Sequence, residues 1–196
     1  MSIYVPSEKL TEIVITRKLS ELDKFVIDVS KILDRFTDYV IVSGYIPIMF
    51  GRSRGTEDVD FVIRPIDREK FGKMCRTAIE TGFEFINPED CNGLYEMLRM
   101  KMAIRMAYVG RIIPNAEIKF PKDSIHELAL ANRIKVVLNE HTLYISPIEL
   151  QIAYKLYLGS DKDLEDAIFL YELFKEKLDR GKLDEYGKKL GVKIPF

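Results

Sequence analysis

The chain has no tryptophan and only two cysteines, Cys75 and Cys91, among 196 residues. Two cysteines exclude a disulfide-built scaffold, and they fit no metal-ligand spacing. They read as reduced thiols of a cytosolic protein. An excess of one charge is also missing: 30 Lys and Arg stand against 31 Asp and Glu, a net charge of −1. The balance holds locally as well as globally, which excludes a charged tail or a surface built to coat a polyanion. No apolar run approaches the roughly 20 residues of a membrane span. The opening stretch, with Pro6, Glu8 and Lys9, lacks the apolar centre of a signal peptide. Internal repeats and low-complexity linkers are absent. A cytoplasmic protein with no membrane partner is expected.

What is present is a core. Apolar residues make up 47% of the chain and aromatics 11%, which excludes disorder. At this size folding buries about 70% of the unfolded surface, enough for one substantial domain with an appendage.

Periodicity supplies the elements. Ser7 offers a cap ahead of an ambiguous opening whose Ile13-Val14-Ile15-Thr16 is β-branched. Ser20-Glu21-Leu22-Asp23 resembles a capping box with a shortened acid, followed by Leu22, Phe25, Val26, Val29, Leu33 and Phe36 at helical spacing. Tyr39–Val42 and Val59–Ile63 read as strands, with a short apolar helix between them and a helix near 67–80 after them. Residues 98–108 alternate apolar and polar, predicting a strand that pairs with 116–120 as an antiparallel hairpin. The methionines here (Met97, Met100, Met102, Met106) read as core filler, and Arg99, Lys101 and Arg105 as a basic face, either solvated or lining a cleft. A helix from Ser124 and a second hairpin, 133–138 with 143–145, follow. Ser146-Pro147-Ile148-Glu149 is a helix start, with Ile148, Ile152 and Leu156 as the buried stripe. Further helices are expected from Ser160 to about Leu178 and between Gly181 and Gly191. The fold class is α/β (α+β): a mixed sheet flanked by helices over residues 1–145, with a helical subdomain over 146–196. His126 and His141, isolated from other ligand types, read as surface residues.

The informative stretch is 42–63. Residues two apart on a strand share a face about 6.6 Å apart, so Asp58 and Asp60 project together while Val59, Phe61 and Ile63 turn to the core. Adjacent carboxylates repel unless a positive charge lies between them. Hard oxygen donors suit Mg2+ or Mn2+. The Ser43-Gly44 turn ahead of a helix offers N–H groups to a phosphate. Alone, an Asp-x-Asp pair is ordinarily a solvated strand face.

The ordered combination resembles the DNA polymerase β-like nucleotidyltransferases: a strand, a glycine-type turn, a short helix, then Asp-x-Asp. It reads Val42-Ser43-Gly44-Tyr45, then Gly51-Arg52-Ser53-Arg54-Gly55-Thr56-Glu57-Asp58-Val59-Asp60-Phe61. It is most similar to the AbiEii-like, Gly-Gly-Tyr-type minimal nucleotidyltransferases and to some aminoglycoside or lincosamide nucleotidyltransferases. The resemblance implies a nucleotidyltransferase-like fold, a nucleoside triphosphate substrate, and Asp58 and Asp60 as catalytic metal ligands. It also implies a third carboxylate, for which Glu117 in Ala116-Glu117-Ile118 is the candidate. Lys119, on the same face, either contacts phosphate or pairs with Glu117 as an exposed strand pair. Ser43 and Gly44 are implied for phosphate, as are Arg52 and Arg54 at the border, although Arg54 is equally placed to pair with Glu57 or Asp58. Some relatives carry a Lys on one helix and Lys-Asp-x-x-Asp at the start of the next. Here these are Lys155 and Lys162-Asp163-Leu164-Glu165-Asp166. Lys155 is thus implied in phosphate binding, whereas Asp163 is also explained by its place at a helix N-terminus. Two departures stand out: Ser43 replaces the first glycine, and Tyr45 stands where many members have Ser.

The expected activity is Mg2+-dependent transfer of a nucleoside monophosphate to a hydroxyl acceptor by a two-metal mechanism. The alternative is a non-catalytic nucleotide- or RNA-binding member of the fold, such as a toxin–antitoxin component. Nothing in the sequence selects among RNA, a small molecule and a protein hydroxyl as acceptor.

Overall fold

A computed structural model describes residues 1–6 and 10–196. The cap expected at Ser7 lies outside the described residues. The elements run β1 (Ser2–Tyr4), β2 (Glu12–Thr16), α1 (Glu21–Asp34), β3 (Tyr39–Val42), α2 (Tyr45–Met49), β4 (Asp58–Ile63), α3 (Arg68–Glu80), β5 (Phe83–Phe85) and α4 (Cys91–Arg99). They continue β6 (Ile104–Tyr108), β7 (Asn115–Lys119), α5 (Ser124–Ala131), β8 (Ile134–Leu138), β9 (His141–Ile145), α6 (Ile148–Leu158), α7 (Asp161–Phe174) and α8 (Arg180–Leu190). The expected mixed α/β class holds. None of the described helices is long and apolar enough to cross a membrane.

Contacts gather the chain into two compact units: Met1–Lys18, Ile46–Arg54 and Asn132–Phe196 form the first, Leu19–Tyr45 and Gly55–Ala131 the second. The C-terminal helices fall in the first unit together with 1–18, 46–54 and 132–145.

In the second unit the strands lie in the order β3-β4-β7-β6-β5. β3 and β4 are antiparallel, β4 and β7 parallel, and β6 is antiparallel to both β7 and β5. The capping box of α1 forms despite its short acid: Ser20 Oγ accepts from the Asp23 N–H, and the Asp23 carboxylate accepts from the Ser20 N–H. The apolar stripe of α1 buries Phe25, Val29 and Leu33. Phe25 meets Tyr108 edge-on at 5.3 Å, and Tyr39 of β3 packs on Phe61 of β4 at 5.9 Å.

The structure differs from the sequence expectation at three points in this unit. Residues 98–108 are not one strand: α4 runs to Arg99, Lys101 turns with φ +59°, and β6 begins only at Ile104. Leu, Arg, Met and Lys are good helix formers, and a short alternation cannot be told from a helix end followed by a strand. Met100 and Met102 in that turn are exposed, while Met106 is core. The thiols are not reduced either. Cys75 and Cys91 form a disulfide that ties α3 to the start of α4, so the cytoplasmic reading loses that support.

In the first unit the strands lie β1-β2-β8-β9, with β2 and β8 parallel and the outer pairs antiparallel. Helices α7 and α8 both pack on α6. Every residue from Ile148 to Ala153 of α6 is buried, including Glu149 and Gln151, so the expected one-sided stripe is replaced by a wrapped helix with Leu156 only half-buried. Ser146 does not cap it. Pro147 takes the cap position without a side-chain bond, and helix α7 ends at Phe174 rather than Leu178. Phe174 meets Phe50 edge-on at 4.8 Å. Gly159 closes α6 in the left-handed conformation, φ +70°.

Candidate functional site

The acidic pair belongs to β4. Val59 and Phe61 have no exposed surface, while Asp58 and Asp60 are half-buried on the opposite face, as the strand period dictates. Thr56 Oγ1 donates to the Asp58 backbone carbonyl at 2.9 Å and lies 3.3 Å from its carboxylate. Across the parallel pairing with β7, Asp60 stands opposite Glu117, Asp58 opposite Asn115, and Val62 opposite Lys119. Glu117 stands in turn opposite Arg105 of β6. Asp60, Glu117 and Arg105 thus form one row across three strands, and Lys119 lies one step along the same face.

Lys119 binds this row together. Its Nζ donates to Asp60 Oδ1 at 2.7 Å and to Glu117 Oε1 at 3.1 Å. The second Glu117 oxygen lies 3.5 Å from Arg105 Nη2. Burial alone would lift the Glu117 carboxyl, but Lys119 and then Arg105 hold it below its ordinary value. Burial likewise works against the Lys119 ammonium, and Asp60 and Glu117 reverse that, raising it. Of the two sequence readings of Lys119, pairing with Glu117 is what the structure shows, although the side chain is largely buried rather than exposed.

The turn before the acidic strand is also defined. Val42 is in register with Asp60, so the Ser43-Gly44 turn follows directly from the residue paired with the central acid. Ser43 has φ +66°, the left-handed region that glycine enters without cost. Tyr45 is fully buried and its hydroxyl donates to Asp23 Oδ1 at 2.7 Å. Tyr45 is therefore an anchor, tying the turn to the N-terminal cap of α1. Helix α2 has five residues, too few for its dipole to be the main phosphate attractor.

Arg52, Arg54 and Lys155 belong to the first unit, where they converge on acids of α7. Lys155 Nζ lies 2.6 Å from Asp163 Oδ1 and 3.0 Å from Asp166 Oδ2, and Arg54 lies 3.2 Å from the latter. Arg52 pairs with Asp166 and Glu165 and donates to the Lys162 carbonyl at 3.1 Å. Asp166 is wholly buried and the Lys155 side chain almost so. Burial raises the Asp163 carboxyl, but Lys155 and Ser160 hold it below its usual value. The sequence placed Asp163 at a helix start. Its ion pair with Lys155, and the role of Asp166, carried no local signal because they join residues of different helices.

His126 is another residue the sequence misjudged. It is half-buried, with Nδ1 3.3 Å from the Lys122 N–H and 3.1 Å from Asp123. Burial pulls its pKa below the ordinary value, with Lys119 and Lys122 adding to the effect against Asp123 and Asp60. His141 pairs loosely with Glu140 at 3.8 Å.

Asp58 and Asp60 offer the hard oxygens a divalent cation requires. Among the described residues, however, no three His, Cys, Asp or Glu side chains are gathered to hold a metal ion. Glu117 is drawn instead to Lys119 and Arg105.

No protein-family model matches the sequence, and no curated protein matches it. Solved structures do. An antigenic nucleotidyltransferase-like protein from Paracoccidioides brasiliensis matches with a TM-score of 0.54 at 21% identity, over 84% of each chain. ANT(2")-Ia in complex with adenylyl-2"-tobramycin matches at 0.52 and 13% identity, over 87% of this chain and 95% of that one. The nucleotidyltransferase toxin MenT4 from Mycobacterium tuberculosis H37Rv matches at 0.50 and 18%, over 82% and 60%. The fold is that of the nucleotidyltransferases. On a nucleotidyltransferase fold, Asp58 and Asp60 stand on a central strand flanked by β3 and β7.

Proposed function

We propose that this chain is a divalent-cation-dependent nucleotidyltransferase that moves a nucleoside monophosphate from a nucleoside triphosphate to a hydroxyl acceptor. The observation that carries this reading is the Ser43-Gly44 turn leaving β3 from the residue in register with Asp60, beside Asp58, on a nucleotidyltransferase fold. The motif Val42-Ser43-Gly44-Tyr45 with Asp58-Val59-Asp60 supports the AbiEii-like, Gly-Gly-Tyr-type grouping within it.

Asp58 and Asp60 would hold Mg2+ or Mn2+, with Glu117 as the third carboxylate of the face, and the Ser43-Gly44 turn would receive the β- and γ-phosphates. A cation held there would supply positive charge to the α-phosphate and ease loss of the acceptor's proton. In the reaction the acceptor oxygen bonds to the α-phosphorus. The bond from that phosphorus to the bridging oxygen breaks, its electron pair leaves with pyrophosphate, and the acceptor's proton passes to water. Arg52, Arg54 and Lys155 are assigned to phosphate by resemblance, and any such contact is made by cations that α7 already neutralises. A nucleoside triphosphate substrate favours a cytoplasmic setting. The neighbours include a toxin and an enzyme seen with an adenylylated aminoglycoside, so RNA, a small molecule and a protein hydroxyl are the acceptor classes to screen.

A second reading, a nucleotide-binding module or toxin–antitoxin component without turnover, is favoured by one observation: Lys119 already neutralises Asp60 and Glu117. Pyrophosphate release from each of the four triphosphates with Mg2+ and an acceptor panel separates the two. Release that is abolished by Asp60→Asn supports transfer. Nucleotide binding with no release in any combination supports the module.

A further inference from the structure

We infer that Lys119 stands where a second divalent cation would otherwise be required, so that this site takes one divalent cation, at Asp58 and Asp60, and not two. The inference rests on the nucleotidyltransferase reading and specifies its cation requirement.

The pleat fixes the arrangement. Lys119 is two residues from Glu117 on β7, so both side chains rise from one face. Asp60 stands opposite Glu117 on the neighbouring strand. The ammonium reaches one oxygen of each acid, at 2.7 and 3.1 Å, from a side chain only 11% exposed. A bridge between two carboxylates is the place a shared metal ion would take. Here a fixed charge of the chain occupies it.

The remaining donors agree. Both oxygens of Glu117 face cations, Lys119 on one side and Arg105 at 3.5 Å on the other. Among the described residues, no hydrogen-bond donor is directed at Asp60 Oδ2, and Asp58 has only Thr56 beside it. These two side chains, and not Glu117, are available to an ion from outside. Charge leads to the same count. Three carboxylates bring −3, and Lys119 with Arg105 returns +2, so one divalent cation already more than meets the remaining −1 and a second has no charge to answer. A second divalent ion between Asp60 and Glu117 would lie in contact with the ammonium, with no carboxylate left to neutralise it. Lys119 is on this reading a positioning residue: it sets how many cations enter and holds Glu117 away from them.

The test counts Mn2+ bound per chain by electron paramagnetic resonance. It uses the intact protein, alone and with the α,β-methylene analogues of ATP, GTP, CTP and UTP. Wild type is expected to bind one Mn2+ per chain. Lys119→Arg, which keeps the charge, is expected to bind one, and Lys119→Met, which removes it, two. Two Mn2+ on wild type would overturn the inference and leave the nucleotidyltransferase reading standing. Two on Lys119→Arg, or one on a folded Lys119→Met, would also overturn it. No Mn2+ on wild type under any of these conditions would overturn both. Wild type and Lys119→Arg keep the inference falsifiable should Lys119→Met fail to fold.

Discussion

Asp166 has no exposed surface, and its two oxygens lie against Arg52, Arg54 and Lys155. A buried charge left without its partner is costly, whereas the pair itself contributes little net stability. Replacing Asp166 with Ala removes the buried acid shared by three cations, of which Lys155 keeps Asp163 and Arg52 keeps Glu165. The expected loss is about 3–5 kcal/mol, read as a lower urea midpoint at unchanged slope. An effect below about 1 kcal/mol would mean that the cations relax into solvent. His126 gives a pH-dependent counterpart. Burial holds its pKa below the ordinary value of about 6.5, so above that value neither folded nor unfolded chain is protonated there. As pH falls through about 6.5 the unfolded chain takes the proton first, and stability drops until the lowered pKa is passed. His126→Gln is expected to flatten the stability profile in that window. An unchanged slope would place the titration elsewhere.

At the scale of elements, the turn between β3 and α2 depends on a helix remote in sequence. Tyr45 donates to Asp23, the same residue that closes the cap of α1. Tyr45→Phe leaves a buried carboxylate oxygen one hydrogen bond short, which is expected to cost about 1–3 kcal/mol in urea unfolding. The same change is expected to weaken nucleotide binding, because the turn loses its anchor. Elements defined by local chemistry were legible in the sequence: α1 by its box, β3 and β4 by apolar runs, and the side-by-side placement of Asp58 and Asp60 by period alone. What depended on tertiary partners was not. The helix end at Arg99 and the strand at Ile104 merged into one alternating pattern, because a period-2 run also fits a helix tail and a turn. Ser146 looked like a cap, yet Pro147 begins α6 unaided. The disulfide had no spacing signal, since it depends on α3 packing against α4. The links from Lys119 to Asp60 and from Lys155 to Asp166 cross between elements, so the sequence could nominate these lysines but not name their partners.

At the scale of the molecule, the class of fold was readable from the order of strands, turn and acidic pair, and the likeness to solved nucleotidyltransferases agrees with it. The grouping of the C-terminal helices with residues from both the start and the middle of the chain was not readable, because it is a long-range property of packing. The central claim is that Asp58 and Asp60 make this fold a nucleotide site. Calorimetric titration of ATP, GTP, CTP and UTP with Mg2+ tests it, into wild type and into a folded Asp58→Asn/Asp60→Asn variant. Mg2+-dependent binding of at least one triphosphate by wild type, weakened at least about tenfold in the variant, is the predicted result, a difference of roughly 1.4 kcal/mol or more. Equal binding by both proteins, or none by wild type, would contradict it.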